Sequence, residues 1–168
     1  KKKFVVSAEY CITLDRVDES LYAEIAENTA QWQQWDDLGF KGTDAGWGTA
    51  DYFKQHQALM VDTSLFSLEF KAKLLKKIDD LDAQTDGVII HSDNFQALNL
   101  LKSKYYEKVK SIYVDPPYNT SASEILYKNG FKNSSWLSLL ENRISLGKIL
   151  LKNDGIQCTT IDDVEQKV

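Results

Sequence analysis

An α/β fold with a parallel sheet is predicted for residues 85–168, preceded by a mainly helical region over 1–84. Two observations carry this. Three short strand-like segments, at 87–91, 109–114 and 156–161, alternate with helical patterns in the second part. The first part shows helical periodicity instead, and Gln84-Thr85-Asp86-Gly87 breaks the chain between the two. The composition agrees with a folded chain. Of 168 residues, 43% are hydrophobic, 11% aromatic and 27% charged, which excludes disordered, collagen-like and disulfide-scaffold classes.

In chain order, Lys1-Lys2-Lys3 is followed by only Phe4, Val5 and Val6 before Glu9. That is too short for a signal peptide. No run of about 18 apolar residues follows anywhere, so a membrane-spanning helix is excluded. Residues 19–38 read as an amphipathic helix with Leu21, Ile25, Trp32, Trp35 and Leu38 on one face. Residues 39–48 hold four of the eight glycines and read as a loop. The bare Gly46-Trp47-Gly48 within it has no preceding strand and no third glycine, so it reads as a turn rather than a phosphate cradle. A second helix over 67–82 turns Phe70, Leu74, Ile78 and Leu81 inward and a lysine face (Lys71, Lys73, Lys76, Lys77) to solvent. His56 has no chemical neighbour and is expected at the surface.

The second part alternates. Gly87 to His91 reads as a strand, Phe95 to Leu101 as a helix capped by Asp93 or Asn94, and Val109 to Val114 as a second strand. A long helix opening at Ser134 or Ser135, with Trp136 in its core-facing start, stops at Gly155, and Ile156 to Ile161 forms a third strand. Right-handed crossovers then place the carboxyl ends of all three strands on one edge, where ligands bind in such sheets. Three polar clusters fall there: His91-Ser92-Asp93-Asn94, Asp115-Pro116-Pro117-Tyr118 and Thr160-Ile161-Asp162-Asp163.

The middle cluster carries the chemistry. It contains the only two prolines in the chain, where average usage near 5% predicts about eight. Consecutive prolines supply no N–H and fix φ near about −65°, so carbonyls at a stiff strand end are left as acceptors. Asp115 adds a carboxylate and Tyr118 a flat ring. An exocyclic amino group on an aromatic base matches that set: one N–H to Asp115, one to the Pro116 carbonyl, and the ring stacked on Tyr118. A base in a duplex reaches such a site only after being flipped out.

Here the sequence resembles a family. Asp115-Pro116-Pro117-Tyr118, after Ser111-Ile112-Tyr113-Val114, is similar to the D-P-P-Y motif of amino-group DNA methyltransferases that use S-adenosylmethionine. The likeness extends to Asn119-Thr120, to Tyr127-Lys128-Asn129-Gly130-Phe131, and to Ser135-Trp136-Leu137 with Arg143. It continues over Asp154-Gly155-Ile156 to Ile161-Asp162-Asp163, and upstream over Leu81-Asp82, residues 84–87 and 91–101. Leu14-Asp15-Arg16 and Gln31-Trp32-Gln33-Gln34-Trp35 add to it. Together these segments resemble the modification (Mod) subunit of type III restriction-modification systems, which methylates adenine at N6.

The resemblance implies a partial Rossmann-like methyltransferase sheet, with 85–168 as the N-terminal part of the catalytic domain. It implies that Asp115, Pro116, Pro117 and Tyr118 hold the flipped adenine, and that His91, Asp93 and Asn94 lie at the cofactor's adenosine end. Asn119, Asp162 and Asp163 would border the substrate pocket. Taken alone, Asp93 reads as a helix N-cap before it reads as a ligand, and Asp162 and Asp163 equally suit the cap of a following helix. The implied partners are double-stranded DNA, a second Mod copy and a restriction subunit, in a reduced, cytoplasmic setting that also suits the lone Cys11 and Cys158. Nothing at ligand spacing suggests a metal. The family's F-x-G-x-G cofactor loop does not occur in the chain. It follows the D-P-P-Y motif in this permuted class, so it is expected beyond Val168. The chain starts without Met and ends in what reads as a starting helix, and a fragment unable to methylate alone is the expectation.

Charge fits a limited DNA role. Residues 1–86 carry ten Lys+Arg against sixteen Asp+Glu, and 87–168 carry ten against nine, without the basic stripe of a self-sufficient DNA binder. Two alternatives stand beside adenine methylation. One is cytosine-N4 transfer, which more typically has Ser where Asp115 stands. The other is a non-catalytic module in which acidic residues 1–80 dock a partner subunit or a second copy of the chain, the truncated sheet being an inactive remnant.

Overall fold

The computed structural model describes residues 7–41, 45–119 and 133–163. The chain divides into two compact units, 1–87 and 88–168. The segments read from Thr120 to Phe131 and after Asp163 lie outside the described residues.

The first unit is mainly helical, with a short antiparallel pair that periodicity does not reveal. Strand β1 (Cys11–Thr13) pairs with β2 (Met60–Asp62), with Ile12 opposite Val61. Both of these side chains are buried. The helix expected over 19–38 is broken into a 3₁₀ turn (Glu19–Leu21), α1 (Tyr22–Ala26) and α2 (Thr29–Asp37). Asn28 makes the break. Its side-chain oxygen accepts from the Gln31 amide at 3.1 Å and its nitrogen donates to the Leu65 carbonyl at 2.9 Å, an N-cap that starts a new helix. Leu21, Ile25, Trp32 and Trp35 are buried as expected, but Leu38 is 61% exposed because it stands at the C-cap of α2.

Helix α3 (Ala50–Gln55) brings Phe53 into the centre of an aromatic core. Its ring stacks on Trp32 (centroids 5.1 Å) and meets Tyr22 and Trp35 edge-on at 5.4 and 5.7 Å, the offset and edge geometries that ring quadrupoles favour. His56 is half-buried rather than at the surface, stacked on Tyr52 at 3.8 Å. Helix α4 (Leu68–Lys76), capped by the Ser67 hydroxyl, buries Phe70 and Leu74. Its lysine face is not purely solvated: Lys71 pairs with Glu9, Lys73 with Glu24 and Lys77 with Asp18. Exposed pairs of this kind add little each.

The second unit holds a small parallel sheet. Its elements are α5 (Asn94–Tyr105), β3 (Val109–Val114), α6 (Asn133–Leu150) and β4 (Leu151–Thr159). Strands β3 and β4 are parallel neighbours, Ser111 opposite Ile156 through Val114 opposite Thr159, with a bulge where Val109 meets Leu151. Helix α6 packs on the sheet at Gly147, where an added Cβ would come within 3.4 Å of Ile112 and 3.5 Å of Gln157. Helix α5 neighbours α6, and the Arg143 guanidinium lies over the Phe95 ring at 5.6 Å.

Two sequence expectations fail here. Gly87 to His91 is not a strand: it pairs with neither β3 nor β4, and Ile89 is 99% exposed. An apolar run supplies strand side chains but not the ladder partner that makes a strand. Helix α6 also ends at Leu150, five residues before the glycine expected to stop it. Gly155 serves a different need. A Cβ there would stand 3.0 Å from the Lys152 carbonyl oxygen and 3.0 Å from Leu151, so any side chain would crowd the bulge and glycine fits it without strain.

No helix of the described residues is long and apolar enough to cross a membrane, and among them no cluster of three His, Cys, Asp or Glu residues could hold a metal ion.

Candidate active site

The site grows out of the register of two strands. Parallel pairing sets Val114 against Thr159, and the ladder runs one residue further: the Thr160 amide donates to the Val114 carbonyl at 3.0 Å. Asp115 and Thr160 therefore leave the sheet side by side. The Thr160 hydroxyl lies 2.5 Å from Asp115 Oδ1, and the Tyr118 hydroxyl lies 2.5 Å from the same oxygen. The two hydroxyls are 2.9 Å apart. A carboxylate and two hydroxyls thus form a closed triangle at the carboxyl end of the parallel pair.

The charge state follows from those bonds. Hydroxyl donation from Thr160, then from Tyr118, holds the Asp115 carboxyl below the usual carboxylate range. The hydrogen bond to that carboxylate in turn pushes the Tyr118 phenol up. Near neutral pH the site presents an ionised acceptor and an un-ionised ring.

The two prolines divide their labour. Pro116 is buried while Asp115 beside it is exposed. The Pro117 carbonyl accepts the Trp136 indole N–H at 2.8 Å, which ties the turn to the start of α6. Among the described residues no donor takes the Pro116 carbonyl. Two acceptors are thus left for a ligand, the second oxygen of Asp115 and the Pro116 carbonyl. Asn119 closes the turn at φ +60, a left-handed conformation that Asn tolerates better than most residues.

The other expected residues are placed as follows. Asp93 is the N-cap of α5, its Oδ1 accepting from the amides of Phe95 and Gln96 at 3.1 and 3.3 Å. His91 and Asn94 are exposed beside it. Among the described residues no hydrogen bond or ion pair links His91, Asp93 or Asn94 to Asp115 or Tyr118. Asp162 is half-buried and Asp163 exposed in the turn that follows Thr160. Asp93 is engaged by its own helix, His91 and Asn94 are open to solvent, and no F-x-G-x-G loop is present in the sequence.

Thr160 and Trp136 were not singled out as site residues from sequence. Trp136 was expected in the core and is buried, but its indole nitrogen also fixes the Pro-Pro turn. Thr160 stands in the third polar cluster, and the register of β3 against β4 is the signal that pairs it with Asp115.

No family model matches the chain. Curated proteins do. The probable type III restriction-modification enzyme HindVI Mod subunit of Haemophilus influenzae is 41% identical over 81 residues, covering 48% of this chain and 11% of that protein. The type III EcoPI Mod subunit of Escherichia phage P1 is 28% identical over 113 residues, 49% of this chain and 18% of its own length. The type II methyltransferase M.KpnI of Klebsiella pneumoniae is 32% identical over 110 residues, 60% of this chain and 26% of its own. The chain thus spans only 11% to 26% of these relatives. Within that span, it is similar to the Mod subunits of type III restriction-modification systems and to a type II methyltransferase.

Proposed function

We propose that this chain supplies the amino-group end of an adenine-N6 DNA methyltransferase that takes its methyl group from S-adenosylmethionine, within a restriction-modification system. The observation that carries the reading is the Asp115-Pro116-Pro117-Tyr118 turn at the carboxyl end of β3, with its carboxylate ionised and the Pro116 carbonyl unoccupied by any described donor. The fold in this reading is a partial Rossmann-like sheet, with 1–84 as a helical N-terminal region and 85–168 as the start of the catalytic domain. Similarity to Mod subunits supports it.

The residues act by holding a base. An exocyclic amine has two hydrogens and a lone pair delocalised into its ring. Asp115 accepts one hydrogen and the Pro116 carbonyl the other, which turns the lone pair out of conjugation and fixes its direction. Tyr118 stacks on the flipped ring, worth about 1–3 kcal/mol against the cost of unstacking it from the duplex. The donor contributes an electrophilic methyl group. Double-stranded DNA, a second Mod copy and a restriction subunit are the partners in this reading.

Asp115→Ala in the intact gene product is expected to cut methyl transfer to DNA by at least about 10²-fold, the scale of losing one preorganised group at a reacting centre, while circular dichroism stays native. Undiminished transfer by that variant ends the reading. Mass spectrometry of the digested DNA decides the base: N6-methyladenine is expected, and N4-methylcytosine assigns the site to the cytosine branch.

A further inference from the structure

Thr160 lies outside the D-P-P-Y turn, yet its hydroxyl meets both functional side chains of it. Its position is set before its side chain is considered. The amide is anchored on Val114, and the β-branched side chain has few χ1 choices. The hydroxyl is thereby delivered to a point 2.5 Å from Asp115 Oδ1, 2.9 Å from Tyr118 Oη and 3.4 Å from the Val114 carbonyl.

Proton counting decides what this triangle does. Thr160 and Tyr118 bring one hydroxyl proton each, so at most two of the three short separations are hydrogen bonds at once. The carboxylate is the charged acceptor and makes the two shortest contacts, so both protons go to Oδ1. Among the described residues nothing donates to Oδ2.

We propose that Thr160 is a positioning residue of this site: together with Tyr118 it pins Oδ1 of Asp115, fixes the plane of the carboxylate and leaves Oδ2 as the oxygen that accepts the substrate's amino hydrogen. For the identity of that substrate the inference rests on the adenine reading; the triangle itself does not. Thr160 touches neither the base nor the donor and acts through Asp115. Without its hydroxyl the carboxylate rotates more freely, either oxygen can accept, and the amino group is no longer held in one direction.

Two variants of the intact gene product test this. Thr160→Val keeps the shape and removes the hydroxyl; Thr160→Ser keeps the hydroxyl. The first readout is an NMR titration with ¹³Cγ-labelled aspartate, Asp115 being identified by its loss in Asp115→Asn. The Asp115 midpoint is expected to rise in Thr160→Val and to stay at the wild-type value in Thr160→Ser; an unmoved midpoint in Thr160→Val overturns the proposal. The second readout is methyl transfer to DNA. Thr160→Val is expected to lower kcat about 10- to 100-fold, the cost of a misaimed group, with KM for DNA unchanged and Thr160→Ser close to wild type. Equal loss in both variants, or a change in KM alone, also overturns it. If the wild-type protein transfers no methyl group to DNA, the adenine reading falls, and the titration still decides whether Thr160 orients Asp115.

Discussion

The two units achieve order by different means. Residues 1–87 close a hydrophobic core around Phe53, with Trp35, Leu14, Ile25, Phe70 and Leu74 almost wholly withdrawn from solvent. In residues 88–168, the described apolar side chains that are buried are Pro116, Trp136, Leu140 and Leu150, while Tyr113 and Ile156 on the strands are each 68% exposed. Yet the second unit carries the candidate site. Its geometry is fixed by a strand register, a backbone bond from Thr160 to Val114 and short contacts to one carboxylate oxygen. Burial holds the first unit together. Directional bonding aims the groups of the second.

That contrast is broken most directly by truncating one residue on each side. Phe53→Ala removes a fully buried ring in contact with three others and is expected to cost about 3–5 kcal/mol. Urea unfolding followed by the fluorescence of Trp32 and Trp35 measures it, since the substitution leaves every tryptophan in place. Tyr113→Ala, at an exposed strand position, is expected to change stability by no more than about 0.5 kcal/mol. Comparable losses from the two would mean that burial governs both units alike.

The same contrast explains what was legible beforehand. Val109 to Val114 is readable because its β-branched and aromatic residues (Val109, Ile112, Tyr113, Val114) lead into the Asp115-Pro116-Pro117 step. The Asp93 cap and the buried face of Phe70 and Leu74 were readable because side chain and local backbone decide them together. Strands β1 and β2 were not, since three residues each give no period; they exist because Ile12 and Val61 meet in the core. The run at 87–91 misled for the converse reason, having the composition of a strand without a neighbour in the described sheet. Of the site, the acceptors Asp115 and Pro116 were visible in the motif. Thr160 was not, because its role depends on the pairing of residues 45 apart, and register is not written in either strand alone.

Register also predicts where the second unit is brittle. Gly155→Ala places a methyl group 3.0 Å from the Lys152 carbonyl oxygen, a backbone atom that cannot swing aside. A loss of about 1–3 kcal/mol is expected from such overpacking, read by urea unfolding with Trp136 as the reporter in Trp32→Phe/Trp35→Phe/Trp47→Phe background. Trp136→Phe, made in the otherwise wild-type chain and followed by far-ultraviolet circular dichroism because it removes that reporter, is expected to cost less. It keeps an aromatic ring in the buried position and loses the bond to the Pro117 carbonyl, worth about 0.5–1.5 kcal/mol. If Gly155→Ala unfolds at the wild-type midpoint, the bulge is not the constraint that brings Ile156 to Thr159 into line with β3.

The smallest expected effect is electrostatic and separates the units by pH. Asp115 has its carboxyl lowered by the Thr160 and Tyr118 hydroxyls, and Glu9 has its own lowered by Lys71 and Thr63. A carboxyl lower in the folded state contributes stability that is present above its unfolded value, about 3.9 for Asp and 4.3 for Glu. That contribution disappears as pH falls through the folded value. Both groups are exposed, so neither loss unfolds a unit. The consequence differs in kind, however. Protonating Glu9 weakens one surface tie of a core that Phe53 and Trp35 hold independently. Protonating Asp115 removes the acceptor on which Thr160 and Tyr118 converge, and nothing buried replaces it. Acidification below the ordinary carboxylate range is therefore expected to shift the Tyr118 ring resonances while the emission of Trp32 and Trp35 stays native, and Asp115→Asn is expected to abolish the shift. Loss of native tryptophan emission in the same pH step would show that the core depends on its surface carboxylates as the site does.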